Sequence, residues 1–158
     1  MSATPEAYYY RGLLRRTYKQ IGDRLFLSSE IAEDFRRALA LRPGDPDALY
    51  QLGLTYQDME EDEQAERTFR ELLAREPRYP GAHLALGQIA EAKQQYDSAI
   101  REYEAELKND PDSAAAHFRL GFLYANAKGD PWLGAQHLEK AVALDPGPPG
   151  GPDRIRPG

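Results

Sequence analysis

The stretch that decides the fold is residues 80–113, PGAHLALGQIAEAKQQYDSAIREYEAELKNDPDS. Gly53, Gly87 and Gly121 are equally spaced along the chain, and each of them follows a leucine. A fixed period of about 34 residues is typical of repeat architectures in which every repeat is one supersecondary unit. Three prolines share the period: Pro43, Pro77 and Pro111.

The spacing of apolar residues inside one repeat is helical. The first half carries such residues at i, i+3, i+4 and i+7, which is one helix face: Leu49, Leu52, Gly53 and Tyr56. A similar stripe follows in the second half: Ala65, Phe69 and Leu72. Asp45-Pro46 is typical of a helix start, an N-cap followed by proline at the first helical position. Each repeat is therefore predicted to be a helix-turn-helix whose second helix ends before a proline.

These features resemble the tetratricopeptide repeat family, whose pattern is Leu-Gly, an aromatic, Ala, a second aromatic and a closing Pro. The best local match runs from Tyr96-Asp97-Ser98-Ala99 through Tyr103 to Pro111. The resemblance implies an all-α fold, a right-handed α-solenoid of about four antiparallel helix pairs. Residues 46–145 are predicted to form three repeats, 46–79, 80–113 and 114–145. The third has one extra residue near Gly129, which moves Gly134 into the small-residue position.

The two ends of the chain depart from the pattern. Residues 1–45 are predicted to be an atypical helix pair, either a degenerate repeat or a cap. If Gly12 is the equivalent of the repeated glycine, this pair is seven residues longer than the others. Residues 146–158 are rich in proline and glycine, a composition that predicts a disordered tail.

The resemblance also implies a concave binding surface on the first helices of the repeats. Carried over position by position, the surface is an apolar groove for a partner's helix or extended peptide. The alternative is that neighbouring helices cover these side chains, because apolar residues exposed one at a time are normal. The predicted groove residues are Tyr50, Leu54, Gln57, Leu84, Gln88, Glu91, Phe118 and Phe122.

The last helix pair suggests a second function. Stacked repeats need a terminal unit with a polar outer face, but the chain after Leu144 runs directly into Pro and Gly. Trp132, Leu138 and Val142 are predicted to lie at that outer side, where they would form an interface with a second copy or a partner. A self-assembling structural scaffold is thus the alternative to an adaptor, unless the polar residues of this helix already solvate the face.

Other classes of function lack the required residues. The chain has no cysteine, no HExxH and no phosphate-binding glycine-rich loop, so we expect no enzyme and no cofactor. His83 and His117 sit in adjacent repeats, roughly 10 Å apart, too far for one metal ion to bridge. A formal charge of -6 argues against nucleic acid as a partner. No apolar run is long enough to span a membrane, and the expected location is the cytoplasm.

Overall fold

The computed structural model describes residues 3–18, 20–21, 24–25 and 27–147 of the chain. From Pro148 onward, the tail predicted to be disordered lies outside the described residues. The elements in this part of the chain are α1 Pro5–Thr17, β1 Gln20–Ile21, β2 Arg24–Leu25, α2 Ser28–Leu41, α3 Pro46–Asp58, α4 Asp62–Arg75, α5 Ala82–Ala92, α6 Tyr96–Asn109, α7 Ala114–Asn126 and α8 Pro131–Leu144. The two short strands pair antiparallel between α1 and α2.

The helix starts follow local sequence chemistry. The side chain of Asp45 accepts a hydrogen bond from the Asp47 amide at 3.2 Å, at the start of α3. Asp130 caps α8 in the same way, accepting from the Leu133 amide at 3.0 Å. Both helices have proline at their first position, where the missing N–H is not needed. The Asp-Pro pairs in the sequence therefore mark the starts of α3 and α8.

The turns inside the helix pairs repeat as well. Glu60 and Gln94, one repeat period apart, both adopt left-handed backbone, with φ of 58° and 59°. This conformation costs a residue other than glycine about 1 kcal/mol or more. The third turn places Gly129 there instead, with φ 65°, one residue later than the period requires. The extra residue of the third repeat is thus accommodated in the turn between α7 and α8.

The chain divides into two compact units, residues 1–89 and residues 90–158, called unit 1 and unit 2 below. In unit 1 the paired helices meet at a glycine that faces a phenylalanine ring. A Cβ on Gly53 would lie 2.6 Å from the ring of Phe69, and a Cβ on Gly12 would lie 2.8 Å from the ring of Phe35. Gly12 therefore has the role of the repeated glycine, and the seven extra residues fall in the segment between α1 and α2.

A buried acid stabilises the pairing of α1 with α2 in unit 1. Asp34 is 1% exposed. Its Oδ1 accepts hydrogen bonds from Arg11 Nε at 2.9 Å and Nη2 at 2.6 Å, and its Oδ2 accepts from Arg15 Nη1 at 2.9 Å. The hydrogen bond to Asp34 raises the pKa of Arg11. Two arginines of the N-terminal helix, Arg11 and Arg15, are thus used in packing the first pair.

In unit 2, α7 and α8 meet through smaller residues. A Cβ on Gly121 would lie 2.6 Å from Leu138 Cγ, and a Cβ on Gly134 would lie 2.8 Å from the Gly121 carbonyl oxygen. The two backbones are therefore in direct contact at these glycines. Leu138 was expected on the outer side of this pair, and this expectation is wrong, because the extra residue near Gly129 shifts it into the position that Phe69 holds in unit 1.

Candidate partner-binding surfaces

The predicted groove residues of α3 already make contacts inside unit 1. The ring of Tyr50 lies 6.0 Å from that of Phe69 and 5.1 Å from that of Tyr79, measured between centroids. A Cβ on Gly81 would come within 2.7 Å of the Tyr50 hydroxyl. Leu54 is partly buried against the same core. These two side chains therefore stabilise the fold of unit 1 as well as contributing to its surface. Three other predicted groove residues of this unit are half-buried: Gln57, Leu84 and Gln88.

The first helix of the last pair, α7, exposes two aromatic rings. Phe118 is 52% exposed and Phe122 is 55% exposed. Because they are four residues apart, they lie one turn apart on the same helix face. Asn126 extends this face by another turn, and its side-chain amide donates to the Phe122 carbonyl at 2.9 Å. Exposed aromatic residues are enriched at protein interfaces, so this face, Phe118 to Asn126, is a candidate contact surface.

Glu91, the remaining predicted groove residue, lies at the end of α5 that belongs to unit 2. Its Oε2 accepts a hydrogen bond from the Tyr103 hydroxyl at 2.5 Å. The same oxygen lies 3.7 Å from Arg119 Nη1, and the Glu91 side chain is 16% exposed while that of Arg119 is 43% exposed. Burial, and then the hydrogen bond to this carboxylate, raise the pKa of Tyr103. A phenol from α6 thus holds a partly buried carboxylate in place.

A cavity of about 330 Å³ lies beside Phe122 in unit 2. Its lining combines a carboxylate, a phenol, a phenyl ring and an amide with two apolar side chains: Glu91, Tyr96, Phe122, Leu123, Asn126 and Ala127. Tyr96, the first residue of α6, is 41% exposed. The arrangement offers apolar walls with one acidic group.

The second helix of the last pair, α8, also presents apolar side chains. Trp132 is 76% exposed and Val142 is 64% exposed. Ala135 and Glu139, which lie between them at helical spacing, are exposed as well. The exposed face of α8 is therefore mixed, with apolar residues at its two ends and a charge between them, and Leu138 does not belong to it.

Unit 2 contains a pair of histidines in contact. His117 Nδ1 lies 3.0 Å from His137 Nδ1, and His117 Nε2 lies 2.9 Å from the Pro111 carbonyl oxygen, which can only accept. Tyr124 stacks on His137 at 5.7 Å between centroids, and its hydroxyl donates to Glu104 at 2.8 Å. Burial, and then the charge of His117, lower the pKa of His137, while Glu104 acts in the opposite direction. Burial also raises the pKa of Tyr124 to about 12.

The described residues form neither a metal cluster nor a membrane span. In that part of the chain, no group of three or more His, Asp or Glu side chains is arranged to hold a metal ion. The helices between Pro5 and Leu144 include none that combines the length and the apolar character needed to cross a bilayer.

The sequence matches a family model for the tetratricopeptide repeat over residues 50–102 and again over residues 84–149. The two overlapping matches cover more than half of the chain. The chain belongs to the tetratricopeptide repeat family. Repeats of this family are generally interaction modules that bind other proteins or peptides. No curated protein matches the sequence.

Solved structures of repeat proteins resemble the chain. MamA from Desulfovibrio magneticus RS-1 gives a TM-score of 0.74 at 24% identity, covering 89% of this chain and 75% of that one. YrrB, described as a TPR protein with an unusual peptide-binding site, gives 0.71 at 22% identity, covering 90% and 69%. The Cut9–Hcn1 hetero-tetramer gives 0.75 at 22%, covering 92% and 28%. This likeness confirms the predicted all-α fold of helix pairs.

Several residues of these surfaces were not predicted as site residues, among them Tyr96, Arg119, Asn126 and His137. Tyr96 was considered only as part of the repeat motif. Both Arg119 and Asn126 lie on α7. Arg119 is next to the predicted groove residue Phe118, and Asn126 is one turn beyond Phe122. Extending the stripe that contains Phe118 and Phe122 by one turn would have found Asn126. His137 was hidden by the extra residue of the third repeat, which shifts the register between α7 and α8.

Proposed function

We propose that the chain is a non-catalytic adaptor that binds a helix or an extended segment of another protein, with α7 as the centre of the binding surface. Membership of the tetratricopeptide repeat family supports the general role. The observation that carries the proposal is the exposure of Phe118 and Phe122, each above half of its surface. The proposed surface is narrower than the eight-residue groove, since Tyr50 and Leu54 have partners in unit 1.

The energetics of such a surface follow from its composition. Fully burying a phenylalanine stabilises a complex by about 1.5–3 kcal/mol, and half of each ring is still available for burial by a partner. Interface energy is usually concentrated in a few aromatic or arginine residues surrounded by contacts that exclude water. Phe118 and Phe122 would supply most of the affinity, while Glu91 and Asn126 would set the orientation of the bound segment.

The proposal is tested by selecting peptides from a displayed random library against the immobilised full chain and measuring the binding of each enriched peptide by fluorescence anisotropy. The double variant Phe118→Ser, Phe122→Ser is expected to weaken binding at least about tenfold. The matched control, Tyr10→Ser with Leu14→Ser, also removes two exposed apolar side chains four residues apart, but on α1 of unit 1. Circular dichroism should show the same helicity for both.

Two results would contradict the proposal. If no peptide is enriched above the background of an unrelated helical protein, the chain is not a peptide-binding adaptor. If peptides bind and the two double variants weaken them equally, the surface lies elsewhere than on α7. The proposal that α7 is the binding surface is supported if the α7 variant weakens binding at least about tenfold and the α1 variant weakens it less than about twofold.

A second candidate function, a self-assembling scaffold, is favoured by the exposure of Trp132 and Val142 on α8. Sedimentation velocity over a wide range of concentration tests it. Assembly that disappears in the Trp132→Ser, Val142→Ser variant and persists in the Phe118→Ser, Phe122→Ser variant would favour a scaffold that uses α8. A chain that stays monomeric at the highest concentration would rule this candidate out.

The other expectations from the sequence stay predictions. They are the cytoplasmic location, the absence of a cofactor and the absence of nucleic acid among the partners. The last of these has a direct check, since a protein that neutralises phosphates binds more tightly as salt is lowered. Binding of single-stranded RNA by the full chain at low salt would contradict it.

A further inference from the structure

We infer that the cavity beside Phe122 binds a basic side chain, lysine or arginine, of the partner segment, with Glu91 as its counter-charge. This inference rests on the proposed function, because the side chain is delivered by the segment that covers α7. It adds a specificity that neither the family nor the exposure of the phenylalanines provides. The residues that carry it are Glu91, Tyr96, Phe122 and Asn126, all on the lining of one cavity in unit 2.

The Glu91 carboxylate is held in a state that favours a cationic ligand. Both contacts of Glu91 described above, to Tyr103 and to Arg119, are made by Oε2, so Oε1 remains as an acceptor. A side chain only 16% exposed is surrounded by protein of lower effective dielectric than water, which strengthens its attraction for a cation. The Tyr103 hydroxyl fixes the carboxylate position before a ligand arrives. Less conformational entropy is then lost on binding.

Two of the residues that line the cavity, Tyr96 and Phe122, are aromatic. The faces of phenyl and phenol rings attract lysine ammonium and arginine guanidinium groups. Both side chains also have an apolar stem that packs against such walls while the charged head reaches a polar group. Phe122 and Tyr96 provide walls of this kind, and Asn126 adds a polar group next to Phe122. A volume of about 330 Å³ is large enough to admit one long side chain.

The protein around the cavity carries a net negative charge. Residues 90–147 contain ten acidic and six basic residues, a net charge of -4 out of -6 for the whole chain. A field of this sign speeds the approach of a basic segment and slows that of an acidic one.

Arg119 provides the sharpest alternative. Its Nη1 lies 3.7 Å from Glu91 Oε2, longer than a direct hydrogen bond, and its side chain is 43% exposed. If Arg119 itself recognised an acidic group, the same cavity would prefer a glutamate or an aspartate. If Glu91 is the recognition group, Arg119 competes with the incoming cation. Removal of Arg119 then has opposite effects in the two cases.

The test uses the enriched peptides of the previous selection and the full chain. The tightest peptide that contains a lysine or arginine is synthesised with that residue, with norleucine in its place and with glutamate in its place. Each is titrated by fluorescence anisotropy against the wild type and against Glu91→Gln, Tyr103→Phe and Arg119→Gln. Thermal unfolding of every variant checks that the fold is kept.

The expected result is a loss of about tenfold when norleucine replaces the basic residue, and a similar loss for Glu91→Gln. The two changes together should weaken binding little more than either alone, because both remove the same interaction. Tyr103→Phe keeps the carboxylate and should keep the preference for a basic residue. Arg119→Gln should tighten the basic peptide several-fold, since the competing cation is gone.

The failures are distinguishable. Three results would overturn the inference and leave the adaptor role intact. The enriched peptides could lack basic residues, the basic and norleucine peptides could bind equally, or the losses in affinity could add when both changes are combined. Tighter binding of the glutamate peptide, abolished by Arg119→Gln, would overturn it in favour of an acidic segment. If no peptide binds the wild-type chain, the proposed function fails and the inference fails with it.

Discussion

Units 1 and 2 place equivalent residues in different surroundings. Tyr50 and Phe118 are two periods of the repeat apart in the sequence. Tyr50 is half-buried under Tyr79, close to Gly81, whereas Phe118 is 52% exposed. The cover of Tyr50 comes from the start of the following repeat, and the corresponding position after Phe118 falls near Gly147, where the described residues end. The same repeat position is thus covered in unit 1 and exposed in unit 2.

The contacts between paired helices also differ between the two units. Unit 1 fills the space opposite its glycines with the rings of Phe35 and Phe69, both fully buried. Unit 2 uses Leu138 opposite Gly121 and places Gly134 in contact with the Gly121 backbone. In unit 1 a ring that can tilt faces the glycine. In unit 2 the backbones of α7 and α8 are in contact, so extra atoms there can be accommodated only if a whole helix shifts. The joint of unit 2 should therefore tolerate added atoms less well.

The largest effect is expected for Gly134→Ala. Its Cβ would lie 2.8 Å from the Gly121 carbonyl oxygen and 2.9 Å from the Ala125 amide nitrogen, so backbone must shift. We expect the free energy of unfolding to fall by about 2–3 kcal/mol. Gly53→Ala, whose three nearest neighbouring atoms all belong to the Phe69 ring, should lose about 1–2 kcal/mol. Urea denaturation gives both values, with the fluorescence of Trp132 reporting on unit 2.

Gly129→Ala is the control for this pair of substitutions. Nothing lies within 4 Å of a Cβ at this position, but its φ of 65° is left-handed. We expect a loss of about 1 kcal/mol from the backbone conformation alone. If Gly134→Ala cost no more than this control, the close contact of α7 with α8 would be relaxed in solution, and the proposed contrast between the two joints would not hold.

The next largest effect concerns the acids of the two units. Asp34→Asn in unit 1 removes the charge that Arg11 and Arg15 share, and should lower the free energy of unfolding by about 1–2 kcal/mol. This figure is below that for a fully buried pair, because the arginines are 43% and 23% exposed. In unit 2, Asp97→Asn breaks an exposed ion pair with Lys128 and should leave stability unchanged. Equal losses in the two variants would contradict the distinction.

The sequence predicts most of the fold because the relevant forces are local. The Asp-Pro pairs at 45 and 130 mark helix starts, and the spacing of Gly53 and Gly121 marks the joints, since each depends on residues within a turn or on a strict period. Gly12 lies outside the strict period of the sequence, and its role at the first joint follows from the ring of Phe35, which faces it in the structure. The domain boundaries predicted at 45 and 145 stay predictions.

The candidate site is less predictable, because it depends on contacts between elements. No pattern in the sequence distinguishes Tyr50, covered by its neighbours, from Phe118, which is exposed. Leu138 was placed on the wrong side because one inserted residue rotates the start of α8 relative to the repeat period by about 100°. The same insertion brings His137 against His117, a contact that the regular repeat period does not suggest.

The contact between His117 and His137 is expected to have the smallest effect on stability. Unit 1 has no equivalent of it, because it contains a single histidine, His83. Burial and the neighbouring His117 lower the pKa of His137 in the folded state. The unfolded chain therefore takes up the proton at a higher pH than the folded chain does. The contribution to stability is present above the ordinary pKa of 6.5 and is lost as the pH falls below it towards the folded value.

Lowering the pH through this range should thus destabilise unit 2 before unit 1, with Glu104 opposing the effect because its charge favours the protonated ring. Thermal unfolding followed by Trp132 fluorescence at neutral and mildly acidic pH measures the change. His137→Gln keeps a polar side chain at this position and should flatten the profile, because the titrating group is gone. A variant with the same acid sensitivity as the wild type would instead assign the pH dependence to the carboxylates, which titrate at lower pH and occur in both units.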